Sequence, residues 1–181
     1  MLRQRVRRGR AVLVASLLAL MVVGLVPTAR AAETAIWRGR TSQTLPMKFL
    51  VQTESGGRIK AGAFELKLRC GKTGEVQRWF VGFFADPGFR IVDGEFEVDF
   101  KDPFAHFRFA GTFLSPTAAT GTVDFLIAEL TPDDQAQLCG PGAPTWNAEP
   151  VPADEDTPTT ATHRIQFRMD ARGRVTTTVT S

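Results

Sequence analysis

The chain has 181 residues and 22 Lys and Arg against 19 Asp and Glu, a formal charge of +3. Six of the basic residues and none of the acids fall in the first 31 positions, which leaves 16 against 19 and a charge of −3 beyond them. With no Lys/Arg cluster past Arg40, a phosphate-tracking stripe and hence a nucleic-acid partner are excluded, and about 150 residues suit one domain with a core of ordinary size.

The first element is a leader. Arg3, Arg5, Arg7, Arg8 and Arg10 precede an apolar run over 11–26, Pro27 ends it, and Ala29-Arg30-Ala31 supplies the small-x-small cleavage pattern. That order reads as a secretory signal peptide over residues 1–31. The competing reading is an uncleaved anchor, but the run falls short of the roughly 20 residues a spanning helix needs. The expected destination is the cell exterior or envelope, with no transmembrane segment after cleavage. Arginine outnumbers lysine 17 to 5, a usage that suggests a GC-rich bacterial genome. All fourteen phenylalanines lie beyond the leader, and tyrosine is absent.

Period-two alternation then dominates, the signature of half-buried strands. Leu45, Met47, Phe49 and Val51 share one face and Lys48 and Gln52 the other; Ser55-Gly56-Gly57 reads as a turn. Phe64, Leu66, Leu68 and Cys70 alternate with Glu65, Lys67 and Arg69, which places Cys70 on the apolar face. Cys70 and Cys139 are the two cysteines of a chain bound for an oxidising compartment, so a disulfide between them is expected.

The stretch from Trp79 to Phe84 is apolar on both faces, which fits a strand covered on both sides or an aromatic platform. Asp93-Gly94 between two alternating runs reads as a type I′ hairpin turn. Phe96, Val98 and Phe100 alternate with Glu95, Glu97 and Asp99, and Phe107, Phe109 and Phe113 with His106 and Arg108. A four-residue loop, Lys101-Asp102-Pro103-Phe104, sets Val98 opposite Phe107, Phe96 opposite Phe109, Glu97 opposite Arg108 and Asp99 opposite His106. Ser115-Pro116-Thr117 turns the chain into a strand carrying Val123, Phe125 and Ile127. Thr131-Pro132-Asp133-Asp134 has a hydroxyl cap, a first-position proline and first-turn acids, and predicts a short helix ending near Cys139-Gly140-Pro141.

A strand is expected around Trp146, a Pro/Thr/acidic linker or loop over 149–161, and a C-terminal hairpin over 162–181 that carries Ile165, Phe167 and Met169. The whole predicts an all-β antiparallel sandwich over 32–148, jelly-roll-like, with one short helix. A closed β-barrel is the alternative.

No catalytic signature is present. The two histidines, His106 and His163, are far apart, and neither a zinc spacing, a nucleophile elbow nor a phosphate-cradling loop occurs, so no metal or other cofactor is expected. Candidate binding residues are Trp79 and Phe83 on the aromatic strand and Glu97, Asp99 and Arg108 on the charged one. The plainer reading of the first pair is core, and of the second an ion-paired solvated face. Arg40-Thr41-Ser42-Gln43 beside Trp37 is a polar patch that a turn explains as well.

The pieces Trp37 to Gln43, Phe64 to Cys70, Asp93-Gly94-Glu95-Phe96, Gly111-Thr112-Phe113, Thr120-Gly121-Thr122, Cys139-Gly140 and Trp146-Asn147-Ala148 together are similar to a group of uncharacterised secreted two-cysteine β-proteins from GC-rich bacteria of actinobacterial type. The likeness spans about residues 36–148, implies export and the disulfide, and carries over no activity. Three functions fit these expectations. The first is a secreted or envelope-associated binding module without catalysis, its partner a polysaccharide or other envelope component. The second is a small glycan-active enzyme using a carboxylate pair such as Glu97 and Asp99. The third is a ligand-carrying barrel with an internal apolar cavity.

Overall fold

A computed structural model describes residues 34–130, 136–152 and 163–180, all within a unit spanning 32–181. Eleven strands follow one another among the described residues: β1 (Thr34–Thr41), β2 (Pro46–Gln52), β3 (Arg58–Cys70), β4 (Glu75–Arg90), β5 (Glu95–Lys101), β6 (Ala105–Ser115), β7 (Ala118–Leu130), β8 (Ala136–Gly140), β9 (Thr145–Val151), β10 (His163–Met169) and β11 (Val175–Thr180). A single 3₁₀ turn, Glu54–Gly56, lies between β2 and β3, where the Ser-Gly-Gly signal falls.

Hydrogen bonding runs β11-β10-β4-β3-β2-β1-β9-β7-β6-β5, and β8 bridges β3 and β7. The path therefore closes through β3, β2, β1, β9, β7 and β8, while β4, β10 and β11 extend it on one side and β6 and β5 on the other. The result is a β-sandwich with one closed side rather than an even barrel.

The two layers meet over aromatic rings. Phe49 of β2 and Phe64 of β3 approach Phe109 of β6 at 5.4 and 4.6 Å between ring centres. Phe83 of β4 meets Phe100 and Phe107 at 5.8 and 5.7 Å, and Phe167 of β10 stacks on the same two rings. These distances suit offset and edge-on pairs. The inward set matches the alternation in the sequence, because a strand that turns one face to the core must bury every second residue.

Four expectations are corrected. The β5–β6 hairpin pairs Val98 with Phe109, Phe96 with Gly111, Asp99 with Arg108 and Lys101 with His106, two residues away from the predicted register. The cause is the turn: the Asp102 carboxylate accepts the Phe104 and Ala105 amides, both at 2.8 Å, and the Asp102 amide donates to the Ala105 carbonyl. The loop thus tightens from four residues to the pair Pro103-Phe104. A slip of two preserves parity, so every side chain keeps its predicted face.

The short helix is not seen where it was expected to end, since Ala136–Gly140 is strand β8, paired with β3 and β7. Its start, 131–134, lies outside the described residues, as does most of the 149–161 linker, whose first residues instead complete β9. Third, the strand expected over Trp79 to Phe84 is longer: β4 runs on through Asp86-Pro87-Gly88 to Arg90, with a register shift opposite Ile59 and Ala61.

Fourth, one pairing is parallel. β10 lies alongside β4 with Ile165 beside Val81 and Phe167 beside Phe83. The C-terminal hairpin is thereby part of the main sheet.

Candidate functional site

Because β4 alternates, its aromatic run is divided between the two sides of the sheet. Trp79, Val81, Phe83 and Ala85 point into the core, Trp79 and Phe83 being only 2% and 4% exposed. Phe80 and Phe84 face out, and Phe84 is 43% exposed. Between them Gly82 presents no side chain. The neighbouring outward positions of β3 are the small Ala61 and Ala63, then Glu65.

The parallel register of β10 sets Arg164, Gln166 and Arg168 beside Phe80, Gly82 and Phe84. The Arg164 guanidinium lies 5.1 Å from the centre of the Phe80 ring, and that of Arg168 lies 5.5 Å from Phe84. Such stacking holds long side chains against the sheet while leaving their donors available. Antiparallel β11 adds Thr180, Thr178 and Thr176 beside the same three residues. The outer face is therefore ruled in three rows: hydroxyls, then guanidinium and amide donors, then aromatic rings. A groove of 390 Å³ follows the strands, its floor set by Gly62, Ala63 and Gly82 and its sides by Phe80, Phe84 and Gln166.

This arrangement offers a ring for stacking, planar donors for paired hydrogen bonds and a floor too bare to obstruct a flat ligand. Among the described residues that line the groove there is no acid, histidine, cysteine or hydroxyl side chain. Glu65, at the outward position of β3 beside Phe80, is buried and ion-paired with Arg78.

The carboxylate row of β5 sits on the outer face of the other layer. Glu97 Oε2 accepts from Arg108 Nη2 at 2.7 Å, and Asp99 Oδ1 lies 2.8 Å from His106 Nε2. Both partners are the ones expected, reached diagonally rather than directly across. The Glu97 hydrogen bond raises the Arg108 guanidinium further above its usual value, with its charge a second cause. Glu97 and Glu95 border a wide open trough with Thr112 and Thr122, whereas Asp99 does not line it. The structure thus does not bring Trp79 and Phe83 together with Glu97, Asp99 and Arg108, since the first pair is core and the rest lie on the far outer face.

Compared with known proteins, the chain matches no family model, no curated protein and no solved structure. The geometry alone carries the functional reading.

The polar patch after Trp37 has an internal use. The Gln43 side chain donates to the Lys67 carbonyl at 3.0 Å and accepts the Lys67 amide at 2.8 Å, so it pairs with β3 as a backbone residue would. Arg40 caps the Thr44 carbonyl across the same turn. Among the described residues no three His, Cys, Asp or Glu side chains converge in a way that would hold a metal ion. The disulfide joins Cys70 of β3 to Cys139 of β8, both fully buried.

The residues that sequence reasoning passed over are Arg164, Gln166 and Arg168. Their alternation with Ile165 and Phe167 marks them as one outward row, but the strand beside them was not readable.

The three rows depend on the C-terminal hairpin, which one carboxylate ties to the β5–β6 turn and another closes at its own turn. Asp102 in the β5–β6 turn accepts the Thr177 hydroxyl of β11. Burial pushes its pKa up, but the bonds from Thr177, Phe104 and Ala105 outweigh this and leave it lowered. Asp170, in the β10–β11 turn, is likewise lowered, first by the Arg174 amide and also by its side chain. A carboxylate depressed in the folded state contributes stability above its unfolded pKa of about 3.9 and loses it as pH falls through the folded value. Melting temperature is accordingly expected to drop as pH falls below about 4. The Asp102→Asn, Asp170→Asn double variant should show a flatter pH profile across that window, and an unchanged profile would count against these two groups.

Proposed function

We propose that the protein is an exported, non-catalytic binding module whose outer β4–β10–β11 face holds a polysaccharide chain of the cell envelope or exterior. The observation that carries this reading is the groove between Phe80 and Phe84, floored by Gly82 and Ala63 and overlooked by Gln166 and the stacked arginines. A sugar ring has an apolar face for an aromatic and equatorial hydroxyls for planar donors, and the two kinds of contact are set side by side here. The leader and the buried disulfide support an extracytoplasmic setting.

The test is cosedimentation of the oxidised protein with cell-wall material and a panel of insoluble polysaccharides, with the supernatant assayed for released sugar. Retention without release is expected. Losing one aromatic stack is worth about 0.5–1.5 kcal/mol, so Phe84→Ala should weaken retention up to about tenfold. Gly82→Val should block the groove, because its new methyl groups occupy the floor. Glu97→Gln, on the other layer, should change nothing. Release of reducing ends, or retention indifferent to both groove variants, would count against the proposal.

A further inference from the structure

The C-terminal strand ends the sheet. Among the described residues β11 pairs with β10 alone, and its other edge carries no strand. Which backbone groups face that edge follows from the hairpin turn. The Asp170 amide donates to the Arg174 carbonyl at 3.0 Å, so these two residues form a hydrogen-bonded pair. Bonded and non-bonded pairs alternate along an antiparallel ladder. Thr176, Thr178 and Thr180 therefore bond to β10, while the amides and carbonyls of Val175, Thr177 and Val179 point to the open edge.

Edge strands that stay single are guarded, most often by charge. β5, at the other end of the sheet, alternates Glu95, Glu97 and Asp99 with its buried residues. A second copy laid against it would set like charges together. β11 has no such guard. Its six residues, VTTTVT, include no charge, no proline and no glycine, and all are β-branched. Val175 packs against the core, but Val179, on the same side of the strand, is 52% exposed.

The sequence of the edge selects its partner. Val175-Thr176-Thr177-Thr178-Val179 reads the same in both directions. An antiparallel copy turned about an axis at Thr177 meets its own pattern: Thr177 faces Thr177, each Val175 a Val179, and each Thr176 a Thr178. In this register the hydrogen-bonded pairs fall on Val175, Thr177 and Val179, the residues whose backbone groups point outward. The symmetry of the sequence and the phase of the ladder thus agree. Val175 of the second copy covers the exposed Val179, and Arg174 falls opposite Thr180, so no like charges meet.

We infer that two copies of this chain join through β11 as an isologous dimer whose sheets run on as one. Six residues a side fall short of the about 20–30 of a standard interface, so the dimer forms reversibly. Its two-fold axis stands perpendicular to the sheet and leaves both outer faces on the same side. Pairing through β11 does not depend on what those faces hold.

Sedimentation equilibrium on the exported chain, its disulfide intact, should show monomers at micromolar concentration passing to dimers toward millimolar. Thr176 and Thr178 are exposed and lie in the non-bonded pairs, where side chains come closest. Thr176 also stands beside Arg168 of its own chain, which suits an acid there. Thr176→Glu with Thr178→Glu opposes like charges twice across the axis and should weaken association about tenfold. Thr176→Glu with Thr178→Lys opposes unlike charges at the same positions and should restore it, with the melting curve retained in both variants. A monomer at every concentration would overturn the inference. A dimer indifferent to the glutamate pair would place the contact on another surface and overturn it too. Equal loss in both variants would refute the register, and open-ended assemblies larger than a dimer would refute the closed two-fold.

Discussion

Phe109→Ala is expected to destabilise the domain by about 3–5 kcal/mol, the range for truncating a large buried aromatic. Phe109 has no exposed surface, and its ring is shared by both layers. It lies 4.6 Å from Phe64, 5.0 Å from Trp146, 5.1 Å from Phe96, 5.4 Å from Phe49 and 6.2 Å from Phe83. Removing it empties the junction where β2, β3 and β4 meet β5, β6 and β9, and the flanking rings are held by strands that cannot collapse inward. Small domains have about 5–15 kcal/mol in total, so the variant should lie close to the limit of folding. Urea unfolding followed by tryptophan fluorescence would show a much lower midpoint at an unchanged slope. Phe84→Ala, on the outer face, should move the midpoint little. Equal effects at the two positions would mean that the core is not organised around Phe109.

That contrast follows from what alternation encodes. Which face a residue occupies was legible from one strand at a time: Phe64, Leu66, Leu68 and Cys70 are all buried, as are Phe96, Val98 and Phe100. A two-residue period leaves only two choices, and hydrophobicity decides between them. Register was less legible, because it depends on how tightly a turn closes. Asp102 closes its turn by capturing two amides with one carboxylate, which a loop-length argument does not anticipate. The end of the expected helix failed for a related reason. Local cap chemistry at 131–134 says nothing of Cys139, which lies opposite Cys70 across β8 and β3 in extended backbone.

The candidate site was the least legible part. Its aromatic half belongs to β4 and its polar half to β10, and the two are joined by a parallel pairing across a long connection. No local signal specifies such a partner, so Arg164, Gln166 and Arg168 read as ordinary surface until the strands are laid side by side. The same pairing explains why the aromatic run could be both core and platform. Trp79 and Phe83 answer to the core rings, while Phe80 and Phe84 answer to the arginines of β10.

Converting both cysteines to serine is expected to cost about 2–4 kcal/mol, which the loop-entropy model places near the upper end for a bridge spanning 69 residues. The seam it holds is short. Among the described residues β8 meets β3 through the Arg69–Gly140 and Cys70–Cys139 pairs and a bond from the Gly71 amide to the Leu138 carbonyl, so the disulfide reinforces a ladder only a few residues long. Cooperative melting of a domain this size should fall by about 10 °C, from about 2–4 °C for each kcal/mol. The binding groove should respond differently. β4, β10 and β11 extend from the other edge of β3 and keep all their ladder partners when β8 is released. At a temperature where the Cys70→Ser, Cys139→Ser protein remains folded, its retention on polysaccharide should equal that of the oxidised protein. A parallel loss of retention and stability would show instead that closure at β8 shapes the outer face, and that the two ends of the sheet are mechanically one.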